Sequence, residues 1–96
     1  MTNNIVTDQA LDTFLSDVHI EVLRAVEKFP QPNPTIAAMA EESGELAKAM
    51  LHIREGKSND WWEVYNEAVQ LAAMACRCAL EGDPTVNAVP TQENCE

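Results

Sequence analysis

The chain has 96 residues, 46% of them hydrophobic, and its sixteen acidic and six basic side chains give a formal net charge of −10. A chain this short forms one domain or one protomer of something larger, and another subunit is its readiest way to enlarge the core. The acidic balance argues against nucleic acid and anionic membranes as partners, because both need a positive footprint, and suits a divalent cation.

The first residues, MTNNIVTDQAL, lack a basic segment followed by an apolar run, so no secretory leader is predicted and the expected location is cytoplasmic. No stretch approaches the roughly 20 apolar residues that a membrane span requires. From about Asp8 to Phe29, Leu11, Leu15, Val18, Val22, Val26 and Phe29 recur at three- and four-residue steps, with Phe14 and Leu23 widening the stripe. That spacing predicts a first amphipathic helix. FPQPNP ends it, since Pro30, Pro32 and Pro34 exclude continued helix.

Asn33 then reads as the cap of a second helix, with Pro34 in its first position. This helix is expected to run to about Glu55 and stop at Gly56, with Ile36, Met39, Ala40, Leu46, Ala47, Met50 and Ile53 as its apolar face. GKSND is a turn, and Asp60 with Glu63 forms a capping box that opens a third helix. Gly82 and Pro84 close that helix after about Glu81. Residues 83–96 are polar and without periodicity, which predicts a mobile tail behind a single all-α domain over 1–82. No segment alternates with period two, so no sheet is expected.

In the third helix Val64, Ala68, Leu71, Ala75 and Cys78 share one stripe, yet Ala72, Ala73, Met74, Ala79 and Leu80 lie off its centre. A helix apolar almost all round is normally buried on several sides. Two further short helices cannot cover it, so the three helices are expected to complete a bundle by dimerisation or higher oligomerisation. Cys76 and Cys78 point to different sides of this helix and are expected to stay reduced, while Cys95 lies in the polar tail. No Cys or His set has zinc-ligand spacing, and His19 and His52 read as core-edge or surface residues.

The stretch AEESGEL places Glu41, Glu42 and Glu45 within about one helical turn. Like charges at three- and four-residue spacing repel, and more strongly once desolvated. The helix dipole does not offset this, because the helix begins about two turns earlier. Glu42 shares a stripe with Leu46, Ala49 and Ile53, and Glu67 shares one with Leu71, Met74 and Cys78. If the second and third helices pack antiparallel, Glu42 and Glu45 face Glu67 at similar heights. Hard oxygen donors converging between helices suit Mg²⁺. A solvated face carrying one Glu45–Lys48 ion pair is the plainer reading of the same spacing.

EESGELAKAM followed by EAVQLAAMACR resembles the MazG-like all-α nucleoside triphosphate pyrophosphohydrolases, and most closely their short phage and bacterial members that hydrolyse dATP and dGTP. The family signature is E-x-x-E on one helix and E-x-x-D on the next. Glu42 and Glu45 fill its first half and Glu67 begins the second, while Gln70 stands in place of the last aspartate. An amide carbonyl can still coordinate, but one negative charge is lost.

The resemblance implies Mg²⁺ (with Mn²⁺ as a substitute) held by Glu42, Glu45, Glu67 and Gln70. It implies attack of water on the α-phosphorus of a (deoxy)nucleoside triphosphate, giving monophosphate and pyrophosphate, in a homo-oligomer (dimer or tetramer) that controls nucleotide pools. Glu41 or Glu45 would be the general base, Lys48 a triphosphate contact with Arg54, Lys57 and Arg77 behind it, and Trp62 a stacking surface for the base. A non-catalytic acidic helical protein, acting as an inhibitor or nucleic-acid mimic, and an inactive relative are the competing readings.

Overall fold

The computed structural model describes residues 5–91. It contains three α-helices, α1 Asp8–Lys28, α2 Thr35–Arg54 and α3 Trp61–Glu81, then a 3₁₀ turn at Pro84–Val86, and no named strand among the described residues. The expected all-α, three-helix architecture is present.

Each helix end has a local cause. Thr7 caps α1 by accepting from the Ala10 N–H at 3.1 Å. Asp60 caps α3 by accepting from the Glu63 N–H at 3.3 Å, while its own N–H goes to Ser58 Oγ, so only half of the expected capping box forms. Gly56 and Gly82 take positive φ values of 76° and 69° at the ends of α2 and α3.

The start of α2 departs from expectation. Pro34 is the cap residue and Thr35 the first helical residue, and Asn33 turns back to donate to the Phe29 carbonyl instead of capping α2. The cap comes from 47 residues away: the Asp83 carboxylate accepts from the Ile36 N–H at 3.0 Å, and Thr35 donates its hydroxyl to the Gly82 carbonyl at 2.8 Å. Both Thr35 and Asp83 are buried. Residues 83–91, expected to trail as a tail, instead fold back through the Asp83–Ala88 bridge. Asp83 also accepts from the Thr85 N–H and hydroxyl, and Thr85 together with the Ile36 N–H holds the Asp83 carboxyl below its ordinary range. Residues 92–96, including Cys95, lie outside the described residues.

The helix α3 is central. It packs against both α1 and α2, which do not pack on each other. The hydroxyl–carbonyl link from Thr35 to Gly82 makes α2 antiparallel to α3, whereas Tyr65–Asp17 and Arg77–Ala25 contacts make α1 parallel to it. Ala25, Ala49, Val64, Val69 and Ala73 form the core. These side chains are small, so helices approach closely but bury little apolar area.

The buried faces are rotated from those the apolar spacing suggests. Phe14, Asp17, Val18, Glu21, Val22 and Ala25 of α1 face inward, leaving Leu15 53% and Phe29 55% exposed. On α2 the covered set is Thr35, Ala38, Met39, Glu42, Leu46, Ala49 and Ile53, with Glu42 in its middle and Ile36 and Met50 outside. On α3 Val69, Ala73 and Arg77 are buried, while Ala75 of the expected stripe is exposed. Cys76 and Cys78 are unpaired and half-buried. No helix of the described residues is long and apolar enough to cross a membrane.

Candidate functional site: two carboxylate-lined clefts

Because α1 and α2 stand apart over α3, and Ala25, Ala38 and Ala73 are too small to fill the gap, a cleft of about 390 Å³ remains between them. Its walls carry Glu21, Arg24 and Lys28 of α1 and Glu41 and Glu42 of α2, with Gln70 of α3 at its base. A second cleft of about 180 Å³ lies between α2 and α3, lined by Glu45, Lys48, His52, Glu63 and Glu67. The residues singled out in the sequence are therefore divided: Glu41, Glu42 and Gln70 in one cleft, Glu45 and Glu67 in the other.

The two sets still sense each other. One carboxylate oxygen of Glu42, Oε2, is buried and has no hydrogen-bond partner. Burial, then the charges of Glu67, Glu41, Glu45 and Glu21, push the Glu42 carboxyl above its ordinary value. Burial, then Glu45 and Glu63, push Glu67 up in the same way. Carboxylates raised by burial and by like charge mark functional sites more often than ordinary surface.

An orphaned carboxylate oxygen among like charges fits a hard divalent cation by its donor chemistry. Among the described residues, however, no three His, Cys, Asp or Glu side chains come close enough together to hold a metal ion. Gln70 and Glu42 share the large cleft, and Glu67 couples to Glu42 from the neighbouring one.

Other expected residues have settled roles. Arg77 is 1% exposed, donates from Nε and Nη2 to Glu81 at 2.7 and 2.8 Å, and donates from Nη1 to the Ala25 carbonyl at 3.2 Å. It ties α3 to α1 and is not available to a phosphate. Glu81 also accepts from the Gln31 amide, and these bonds, Arg77 foremost, hold its carboxyl low. Lys57 pairs with Glu55 at 3.3 Å. Trp62 lines neither cleft: its ring stacks on Tyr65 at 5.0 Å with the planes 4° apart, and Tyr65 donates to Asp17 at 2.6 Å. Lys48 and His52 both border the small cleft.

Glu21, Arg24 and Lys28 were not singled out from the sequence. A signal was present, because Asp17 and Glu21 sit four apart on a line with Phe14 and Ala25, but the more regular Leu11–Phe29 stripe outweighed it. No protein-family model, curated protein or solved structure matches the chain.

Proposed function

We propose that this protein is a Mg²⁺-dependent nucleoside triphosphate pyrophosphohydrolase of the MazG-like kind, cleaving (d)NTP to (d)NMP and pyrophosphate. The buried, unpartnered Glu42 Oε2 with Glu67 beside it is the observation that carries this reading. Desolvating a carboxylate without a partner costs free energy that folding alone has no reason to spend.

The resemblance assigns the ion to Glu42, Glu45, Glu67 and Gln70, although Glu42, Glu45 and Glu67 do not gather within reach of one ion here. When bound, it would neutralise charge on the phosphate oxygens. Glu41 is exposed beside Glu42 and accepts a proton from the attacking water; Glu45 is the other candidate for this role. The water oxygen bonds to the α-phosphorus as the bridging α–β P–O bond breaks, and pyrophosphate leaves with that bonding pair.

The outward apolar residues of α1 support assembly. Leu11, Leu15, Val26 and Phe29 are 46%, 53%, 40% and 55% exposed. Pairing through Leu11, Leu15, Val26 and Phe29 would complete a helical bundle in a dimer or higher oligomer.

The divided carboxylates favour one second reading, an inactive relative that binds nucleotides without cleaving them. Incubation with each dNTP and NTP in Mg²⁺, followed by separate assays of pyrophosphate and orthophosphate, distinguishes the two. Pyrophosphate as the first product is expected. Orthophosphate first, or no turnover of any nucleotide, removes the hydrolase reading.

A further inference from the structure

We infer that α1 supplies the cationic wall of the substrate site, with Arg24 and Lys28 contacting the phosphate chain of a nucleoside triphosphate across the large cleft from Glu41 and Glu42. The inference rests on the nucleotide reading above and adds residues that the E-x-x-E and E-x-x-Q pattern does not contain.

The few cations of this chain decide the matter. A polyphosphate entering a protein of net charge −10 meets repulsion that fixed positive groups must offset. Of the six basic residues, Arg77 is buried against Glu81 and the Ala25 carbonyl, and Lys57 lines neither cleft. Arg54 closes α2 away from both clefts. Lys48 borders the smaller cleft, whose 180 Å³ falls short of the roughly 300 Å³ at which ligand pockets begin. Arg24 and Lys28 alone line a cleft in the ligand-sized range, about 390 Å³.

Their geometry suits exchange. Arg24 and Lys28 are four apart on one helix, so both reach the same side. Arg24 holds Glu21 through Nε and Nη2 at 3.1 and 2.8 Å, yet its side chain is 58% exposed. A planar guanidinium in a solvent-facing carboxylate pair can pass to a phosphate, which it binds with the same two-pronged geometry. Lys28 Nζ lies 5.4 Å from the centre of the Phe29 ring, a weak contact that leaves its charge free for a stronger anion. Glu21 keeps the guanidinium at the cleft wall when no anion is bound.

The test uses the full chain carrying Arg24→Ala, Lys28→Ala, both together, or Lys28→Arg. KM and kcat are measured by pyrophosphate release, and affinities for an α,β-methylene nucleoside triphosphate and for inorganic tripolyphosphate by calorimetry in Mg²⁺. Loss of one charge-assisted contact predicts a roughly tenfold rise in KM and in both dissociation constants. The double variant should lose more, Lys28→Arg should recover most of the affinity, and kcat should change little. An active enzyme whose KM and tripolyphosphate affinity ignore both substitutions overturns the inference and leaves the hydrolase reading intact. A wild type that binds the analogue through Arg24 and Lys28 without cleaving any nucleotide overturns the hydrolase reading alone. Failure to bind either probe overturns both.

Discussion

Near the C-terminus of α3, buried charge is fully paired. Arg77 is gripped by Glu81 and by a main-chain carbonyl, and beyond it Asp83 accepts from Ile36 and twice from Thr85. Two to three turns earlier on the same helix, Glu67 faces Glu45 and Glu63, and Glu42 keeps a buried oxygen with no partner. Both regions desolvate ionised groups, but only the first offsets the cost within the protein. Groups that complete one another hold the fold together. The groups left incomplete lie at the clefts where the proposed function places its ligand.

Three measurements would break or sharpen that contrast. Replacing Arg77 by Met leaves Glu81 without its main partner and removes the tie to Ala25, so a loss of about 3 kcal/mol is expected in urea unfolding. An unchanged midpoint would mean that the paired end is not what holds α1 to α3. Glu67→Gln removes one of several mutually repelling charges, so its thermal midpoint should equal or exceed that of the wild type. Pyrophosphate release, by contrast, should fall at least about 100-fold, the scale expected when a ligand to a catalytic ion is lost. A destabilised variant with normal turnover would reverse both halves of the expectation.

The third and smallest effect is in pH. Glu42 and Glu67 lie above the ordinary value of 4.5, so they bind protons more tightly folded than unfolded. Their contribution therefore makes the fold more stable as pH falls from neutral towards 4.5. Glu81 and Asp83 are held low, so their stabilisation is complete above the ordinary carboxylate range and is lost as pH falls through their folded values. Urea midpoints should thus rise modestly on mild acidification and then drop. The rise should flatten in a Glu42→Gln, Glu67→Gln protein. A steady decline from neutrality in the wild type would contradict the assigned directions.

Much of this was legible in the sequence, for local reasons. Helix ends at Asp60, Gly56 and Gly82 follow from side-chain caps and positive φ, which a few adjacent residues determine. The inward set of α2 runs through Glu42 at regular three- and four-residue steps, so its carboxylate could be placed near the core before any coordinates. What escaped depends on distant partners. Asn33 has the right chemistry for a cap, but Asp83, 47 residues beyond Ile36, occupies that role. Arg77 read as a candidate triphosphate contact because nothing local announces the Ala25 carbonyl across the interface. The apolar stripe of α1 was correct as a pattern and only in part a burial face: Phe14, Val18 and Val22 turn inward, while Leu11, Leu15, Val26 and Phe29 stay exposed.

The contacts between Thr35 and Gly82 and between Ile36 and Asp83 have a mechanical effect on the α2–α3 pair. Covalent chain joins the two helices at residues 55–60, and these hydrogen bonds fasten the opposite end, so the hairpin behaves as a closed ring. Neither helix can slide lengthwise past the other without breaking one of the fastenings. The vertical offset between Glu42, Glu45 and Glu67 is thereby set at both ends of the pair, some distance from the acids themselves. Gly82 allows no side chain here, because a Cβ would collide with the Ala88 carbonyl and the φ is positive. The short segment after α3 thus acts as a latch, and shortening the chain before it would loosen the spacing of the acids while leaving every one of them in place.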